Sequence, residues 1–300
     1  MKRILISGAT GFVGKHLCRV LANDHEIWGL TRRLPDPSTG NADLHWLEHD
    51  LTSPQWPVAM PRRFDAIVHL AQSDAYQEFP SGAADMFDVN TFGTMRLLDL
   101  ASRTGVETFL HVSTGGIYGR GSRAFKETDG FHPSDHLRHY LTTKYAAELL
   151  VTNFSKLFST VILRPFFIYG AGQEAARLIP RLVARIAKGD PVSLQGENGI
   201  RINPVHVSDM VDATIKALDR RHALVANITG PEVWSLRDIA VAIGRQLGRE
   251  PVFEVTPFHV QADCVGDLTV MTRELGVPKV SFLDAIREVC REHAAGSARR

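Results

Sequence analysis

The stretch "RILISGATGFVG", residues 3–14, begins with a short apolar strand pattern that leads directly into three glycines, Gly8, Gly11 and Gly14. This spacing is typical of a tight turn whose backbone approaches a pyrophosphate at the amino end of a helix. A plain glycine-rich turn is the alternative. The strand pattern before the glycines and the helical pattern after them favour a dinucleotide-binding turn.

Short apolar runs and helical patterns alternate along the first 170 or so residues. The runs predict buried strands at 3–8, 26–30, 66–71, 108–114 and 160–165. Helical spacing of apolar residues fills the intervals between them. This alternation predicts parallel βαβ crossovers and an α/β, Rossmann-like doubly wound sheet that binds ligands at the carboxyl ends of its strands.

The pattern changes from about residue 170, where strands become short and amphipathic helices such as "LIPRLVARIAKG" dominate. We therefore expect a dinucleotide-binding domain over residues 1–169, to which a later segment at about 200–230 returns. Residues 170–300 are expected to form mainly a smaller α/β substrate-binding domain.

Composition excludes several classes of protein. Lys and Arg total 34 and Asp and Glu total 33, so the net charge of +1 indicates neither a nucleic-acid-binding nor an anionic-membrane surface. Three widely separated cysteines, Cys18, Cys264 and Cys290, lack metal-ligand spacing, so neither a disulfide nor a metal site is expected. The amino terminus lacks a signal-peptide pattern and no apolar run is long enough to span a membrane, so the expected location is the cytoplasm.

The end of the second predicted strand indicates the cofactor. An acidic residue there would bind the ribose 2′-hydroxyl of NAD, whereas an arginine suits the 2′-phosphate of NADP. The strand ends in "TRR", with Arg32 and Arg33 and no acid, so NADP is favoured and NAD stays possible. Alternatively, both arginines only solvate a loop. Asp50, in "EHDLT", follows another predicted strand, between 26–30 and 66–71, and could accept a hydrogen bond from adenine, although an Asp commonly begins a turn.

Tyr140 and Lys144 stand four residues apart in a predicted helix and so share one face of it. A tyrosine titrates near pH 10, and a nearby cation makes it useful in proton transfer by stabilising its phenolate. Thr114, at the end of a predicted strand, could orient a substrate oxygen. The three side chains together predict acid/base catalysis of hydride transfer between an alcohol and a ketone. A Tyr–Lys pair alone also arises by chance.

Seven motifs make the chain resemble the extended short-chain dehydrogenase/reductase family, the NAD-dependent epimerase/dehydratase group that acts mostly on nucleotide sugars. They are "GATGFVG", "IVHLA", "NTFGTMRLLDLA", "VSTGGIYG", "YLTTK", "RPFFIYGAGQ" and "VHVSDMVDA". The resemblance implies cofactor contacts by the pyrophosphate residues Gly8, Gly11, Phe12, Val13 and Gly14, the adenine residues Asp50 and Leu51, and Leu70 and Ala71 beside the cofactor. It also implies that Tyr140 is the acid/base, that Lys144 holds the nicotinamide ribose, and that Asn90 stabilises the central helices.

The residues after Thr114 narrow the reaction that the resemblance implies. Dehydratases of the family carry an Asp-Glu pair there, and related decarboxylases and epimerase-reductases carry a Glu or a Cys at the second position. This chain has Gly115 and Gly116. Redox chemistry at one carbon then remains: reduction of a nucleoside-diphosphate 4-keto-(6-deoxy)hexose by NADPH, or 4-epimerisation with bound NAD. The arginines at the second strand favour the reductase.

Two residues bear on the substrate. Arg201 matches an arginine that grips the nucleotide diphosphate in the family, although a structural salt bridge is the alternative. Phe167 stands where the family usually has an Asn that contacts the substrate, and it would favour a non-sugar ketone instead. A cofactor-sensing binding protein is a further alternative, which the intact Thr114, Tyr140 and Lys144 oppose. The resemblance also implies a homodimer.

Overall fold

The computed structural model describes residues 1–36, 44–257 and 263–297. Eleven strands occur among these residues: β1 Arg3–Ser7, β2 Glu26–Thr31, β3 Leu44–Glu48, β4 Ala66–His69, β5 Thr108–Val112, β6 Ser159–Pro165, β7 Val192–Gln195, β8 Arg201–Ile202, β9 Leu224–Ile228, β10 Trp234–Ser235 and β11 Phe253–Thr256. The α-helices are α1 Phe12–Leu21, α2 Ala83–Phe87, α3 Gly93–Thr104, α4 Arg138–Asn153, α5 Leu178–Lys188, α6 Val207–Ala217, α7 Leu236–Leu247, α8 Thr269–Glu274 and α9 Phe282–Ser297.

Seven strands form the main sheet, in the order β3-β2-β1-β4-β5-β6-β9. Each neighbouring pair from β3 to β6 is parallel. The central strands are apolar because helices cover both faces of such a sheet; Ile4, Leu5 and Ile6 of β1 are fully buried. The strand order reverses direction between β1 and β4, and dinucleotides bind at the carboxyl ends of strands at such a switch point. The predicted Rossmann-like fold is confirmed.

The motif "NTFGTMRLLDLA", which begins at Asn90 and has helical spacing throughout, does not form one continuous α-helix in the structure. Asp88–Phe92 form a π-helical turn between α2 and α3, and such turns occur often at functional sites. The turn holds the Asn90 side chain inward, where its carbonyl oxygen accepts from the Ser73 N–H at 2.9 Å. Its Nδ2 donates to Oγ1 of Thr143 at 2.9 Å. The loop after β4 is thereby tied to helix α4.

The chain divides into two compact units. Unit 1 comprises Met1–Ile117, Phe131–Arg164 and Val211–Ala226, and unit 2 comprises Tyr118–Gly130, Pro165–Met210 and Asn227–Arg300. Unit 2 contains two small sheets, in which β10 pairs antiparallel with β8 and β11 pairs parallel with β7. The three cysteines are buried free thiols. None of the helices in the described ranges has the length and apolar character that crossing a bilayer requires.

Candidate active site

The glycine turn between β1 and α1 is packed so closely that larger residues would not fit. Gly8 has a left-handed φ of +72°, and a Cβ there would lie 2.8 Å from the backbone N of Ala71. A Cβ at Gly14 would overlap the carbonyl oxygen of Gly8. Gly11 is the N-cap of α1 and supplies no capping side chain, so the first N–H groups of the helix stay available. This backbone cradle fits the pyrophosphate of a dinucleotide.

The other predicted cofactor residues lie around the same end of the sheet in unit 1. Phe12 and Val13, in the first turn of α1, and Leu70 and Ala71, directly after β4, are all half-buried. The Ala71 backbone is the one that approaches Gly8. The structure therefore brings the loop after β4 against the glycine turn, as the strand order requires.

Three charged residues near the ends of β2 and β3, Arg32, Arg33 and Asp50, are exposed. Arg32 donates from a terminal guanidinium nitrogen to Oδ2 of Asp74 at 2.6 Å, and the carbonyl oxygen of Arg33 accepts from Oγ1 of Thr31 at 2.9 Å. The side chain of Asp50 accepts from the backbone N–H of Thr52 at 2.8 Å, which lowers the pKa of Asp50.

Asp50 thus begins a turn, which was the alternative to an adenine contact, and its Oδ1 also accepts a hydrogen bond from Oγ1 of Thr52 at 2.9 Å. Leu51, which follows it, is buried. An adenine contact by these two residues remains a prediction.

Tyr140 lies in the first turn of α4 and is nearly buried. Its hydroxyl donates to Oε1 of Gln72 at 2.9 Å, and its ring centroid is 5.7 Å from that of Tyr76. A cavity of about 460 Å³ adjoins Tyr140 within unit 1. Its lining includes Tyr76, Phe79, Met86 and Leu137, which give this cavity a partly apolar wall.

Lys144 is one turn further along α4 and only 1% exposed. Its Nζ donates to the carbonyl oxygen of Val112 at 2.6 Å, which anchors the ammonium at the carboxyl end of β5. Burial lowers the pKa of Lys144 to about 8, against the opposing charge of Glu148. The ammonium is therefore present at neutral pH but is easily deprotonated in mild alkali.

Thr114 follows β5 and is half-buried, and its Oγ1 accepts from the N–H of Gly116 at 3.1 Å. A Cβ at Gly116 would lie 3.0 Å from Cδ2 of Leu141 and 3.4 Å from Oγ1 of Thr114. Leu141 is the neighbour of Tyr140, so the structure packs the segment after β5 against the start of α4. A larger side chain at Gly116 would crowd both groups.

Two partners of these side chains were not found from the sequence. Gln72 accepts a hydrogen bond from the Tyr140 hydroxyl, and no local sequence pattern signals a contact between residues so far apart in the chain. Glu148 pairs with Arg164 in the interior: Nε donates to Oε1 at 3.0 Å and a terminal nitrogen lies 2.6 Å from Oε2. Both side chains are less than one-tenth exposed. The position of Glu148, four residues after Lys144, is the signal that could have drawn attention to it.

Two histidines, His69 on β4 and His111 on β5, are fully buried near Lys144, and their ring centroids are 5.1 Å apart. Burial lowers the pKa of His69 to about 3 and that of His111 well below its ordinary value, and the positive charge of Lys144 adds to both shifts. Both rings are therefore neutral at pH 7. Nδ1 of His69 hydrogen-bonds Oγ of Ser7 at 2.7 Å, and Nε2 bonds Oγ1 of Thr94 at 2.9 Å. These contacts make His69 a packed, hydrogen-bonded residue of the core.

Two of the predicted substrate residues, Arg201 and Phe167, lie in unit 2, whereas Thr114 lies in unit 1. Nε of Arg201 donates to Oδ2 of buried Asp263 at 2.8 Å, while the Arg201 backbone N–H donates to Oδ1 at 2.9 Å. Arg201 thus makes a salt bridge, the alternative to gripping a diphosphate that its position allowed. Its side chain is nevertheless 46% exposed, which leaves part of it accessible to a ligand. Phe167 is half-buried and has a left-handed φ of +46°, a conformation that Asn tolerates better than Phe.

The sequence profile of the NAD dependent epimerase/dehydratase family matches residues 4–229. GDP-6-deoxy-D-mannose reductase of Pseudomonas aeruginosa is 32% identical, over 75% of this chain and 69% of the length of that enzyme. The dTDP-4-dehydro-6-deoxy-D-allose reductase of a Streptomyces species is 26% identical, over 85% of this chain and 84% of the length of that enzyme. Among solved structures, the NAD complex of Thermus thermophilus UDP-glucose 4-epimerase superposes with a TM-score of 0.81 at 24% identity, covering 97% of this chain and 99% of that one.

Proposed function

Because this chain belongs to the NAD dependent epimerase/dehydratase family, we propose that it is an NADP-dependent reductase of a nucleoside-diphosphate 4-keto-(6-deoxy)hexose. The family comprises NAD(P)-dependent reductases, dehydratases and epimerases of the extended short-chain type, so the chain is an enzyme of that type. The observation that carries the narrower proposal is the pairing of an acid/base set, Tyr140 and Lys144, with Gly115 and Gly116, which bring no further acid or base.

The proposed mechanism assigns one step to each side chain. A bound nicotinamide cofactor supplies the hydride that reduces the keto carbon. Tyr140 donates its hydroxyl proton to the carbonyl oxygen, and the buried ammonium of Lys144 stabilises the phenolate that results. Thr114 donates a hydrogen bond that orients the same oxygen. The proton then returns to Tyr140 from solvent before the next turnover.

Unit 1 is proposed to bind the cofactor. The cradle of Gly8, Gly11 and Gly14 would take the pyrophosphate, and Phe12 and Val13 would line it. Arg32 and Arg33 would bind the 2′-phosphate of NADP. The remaining proposed cofactor residues are Asp50 and Leu51 at adenine, Leu70 and Ala71 beside the dinucleotide, and Lys144 at the nicotinamide ribose. These roles correspond to a dinucleotide-binding domain over residues 1–169, with the segment at about 200–230.

Substrate binding is proposed mainly for residues 170–300, with Phe167 just before them. Arg201, held in a fixed orientation by Asp263, would bind the diphosphate, since a guanidinium matches phosphate oxygens in geometry and charge. Two of the relatives are reductases named for nucleotide-linked 6-deoxy sugars, which supports a substrate of this class. The apolar part of the cavity wall beside Tyr140 suits the methyl group of a 6-deoxy sugar.

A nucleotide-sugar 4-epimerase with bound NAD is the second candidate. One observation favours it: Arg32 is already paired with Asp74, which weakens the case for a phosphate-binding arginine. An epimerase would retain its NAD between turnovers, whereas a reductase must exchange its cofactor each time.

A homodimer is also proposed, formed by the helices around 84–103 and 140–157. Phe87, Phe92 and Leu149 on these helices are between 44% and 54% exposed, and such apolar side chains suit a helix-to-helix contact with a second copy. Analytical ultracentrifugation would contradict this proposal by giving the mass of a monomer at micromolar concentration.

The test of the function begins with the purified protein, which is denatured so that any released nucleotide can be identified. The apo form is then assayed with NADPH and with dTDP- and GDP-linked 4-keto-6-deoxyhexoses. A reductase oxidises one NADPH for each sugar and yields a product heavier by two hydrogens. Tightly retained NAD, with conversion of a nucleotide sugar to its 4-epimer and no net oxidation of NADPH, would establish the epimerase instead.

A further inference from the structure

Arg32 and Asp74 form an ion pair at the end of the sheet where the dinucleotide is proposed to bind. Arg32 directly follows β2, and its terminal nitrogen lies 2.6 Å from Oδ2 of Asp74. Asp74 belongs to the loop after β4, the same loop whose Ala71 backbone approaches Gly8. The acid is therefore supplied by a different strand end from the one whose residues usually distinguish NAD from NADP.

A second carboxylate lies within electrostatic range of the same arginine. The hydrogen bond from the Thr52 N–H lowers the pKa of Asp50, and the positive charge of Arg32 contributes in the same direction. The guanidinium of Arg32 is thus accompanied by two carboxylates, those of Asp74 and Asp50.

We propose that Asp74 is a specificity-determining residue for the cofactor, because it competes with the 2′-phosphate of NADPH for the guanidinium of Arg32. The inference rests on the proposed use of NADPH. It deepens that proposal by predicting that this chain, despite its two arginines after β2, binds NADPH only modestly more tightly than NADH.

Because the Arg32–Asp74 ion pair is exposed to solvent, a bound phosphate can displace Asp74 from Arg32. The side chains of Arg32 and Asp74 are 62% and 82% exposed, so water and salt screen their attraction. A phosphate carries more charge than a carboxylate and can engage a guanidinium through two parallel hydrogen bonds. The phosphate therefore displaces Asp74 from Arg32, but its net gain in binding free energy is reduced by the cost of breaking the ion pair.

The experiment measures dissociation constants of NADPH and NADH by fluorescence titration of the apo protein, without substrate. Asp74→Asn is expected to tighten NADPH binding about three- to fivefold and to change NADH binding less than about twofold. Asp219→Asn is the matched control, since Asp219 is 78% exposed and pairs with Lys2 at 2.7 Å at the opposite end of β1. It should leave both constants unchanged.

A double-mutant cycle with Arg32→Gln tests whether Asp74 acts through Arg32. In the Arg32→Gln background, Asp74→Asn should have at most a small effect on NADPH, because the competition no longer exists. An equal effect in both backgrounds would overturn the inference and indicate direct repulsion between Asp74 and the phosphate. Unchanged NADPH binding in Asp74→Asn, or weakened NADH binding, would also overturn it.

These outcomes are separate from the fate of the proposed function. An apo protein that binds neither NADPH nor NADH would refute the proposed function itself. An apo protein that binds NADPH normally, but does not respond to Asp74→Asn, would refute only the role of Asp74. Neither result depends on identifying the sugar substrate.

Discussion

The hydroxyl of Tyr140 donates its hydrogen bond to the side-chain carbonyl oxygen of Gln72, 2.9 Å away. An amide carbonyl and a keto group both accept a hydrogen bond from a phenol, so Gln72 makes the contact that the proposed mechanism assigns to a substrate oxygen. The hydroxyl is thus oriented as a donor before substrate arrives. Such preorganisation is what an acid catalyst requires.

Replacing Tyr140 by Phe removes this proton donor and preserves the ring packing against Tyr76. We expect kcat of Tyr140→Phe to fall about 100- to 10,000-fold, with the dissociation constant of NADPH nearly unchanged. Stopped-flow kinetics and cofactor titration measure the two quantities. Tyr145→Phe, on the same helix with its ring stacked on Phe131, is the matched control and should retain activity. Full turnover by Tyr140→Phe would refute the mechanism.

The pH dependence of the reaction should report on Lys144. Burial lowers its pKa to about 8, so the ammonium that is proposed to stabilise the Tyr140 phenolate is lost as pH rises through that value. We expect kcat/KM to decline above about pH 8. In Lys144→Arg the residual activity should lack this decline, because a guanidinium keeps its charge. An alkaline limb with the same midpoint in both proteins would assign the titration to another group.

Glu148 and Arg164 form a buried ion pair whose members depend on each other. Glu148→Leu leaves the guanidinium without this counter-charge, and removing one partner of such a pair typically costs about 3–5 kcal/mol of unfolding free energy. Urea denaturation at pH 7 measures the loss. The double variant Glu148→Leu/Arg164→Met should recover much of it, because no charge is then buried. A single variant as stable as the parent would contradict this account.

Stability in acid should depend on His69. Its pKa in the folded protein is about 3, below the ordinary value of 6.5, because burial disfavours the protonated ring. The unfolded chain therefore binds more protons between these values, and the contribution of His69 to stability is present above pH 6.5 and lost as pH falls towards 3.

We expect His69→Gln to reduce the decrease in unfolding free energy between pH 7 and pH 4, measured by urea denaturation at each pH. His222→Gln replaces an exposed histidine and serves as the control. An acid dependence that is identical in His69→Gln and the parent would show that other groups govern it, with His111 the first to examine.

The strands of the main sheet could be predicted because their signal is local. The apolar run at 3–8 became β1 (Arg3–Ser7) and that at 160–165 became β6 (Ser159–Pro165), each within a residue or so of its observed bounds. The glycine turn was equally readable, since glycine adopts a left-handed φ, such as the +72° of Gly8, without steric cost. The position of Tyr140 and Lys144 on one helix also follows from helical spacing.

Partners brought together by folding could not be predicted in this way. Residues 118–130 belong to unit 2 because Gly121 and Asp263 exchange backbone hydrogen bonds and the N–H of Phe125 donates to the carbonyl oxygen of Val265. The π-helical turn at Asn90 likewise interrupts a pattern that reads as continuous helix. Its side-chain contacts with Ser73 and Thr143 hold it in place.

The amino-acid sequence alone determined most strands of the main sheet, the glycine turn, and the type of side chain available for catalysis, because these depend on residues near one another in the chain. Tertiary structure alone decided that Arg32 meets Asp74, that Tyr140 meets Gln72, and that Lys144 is buried against Val112. Strand order and helix packing set these neighbours. They control the charge and proton affinity of each group, and therefore the chemistry that the same side chains can perform.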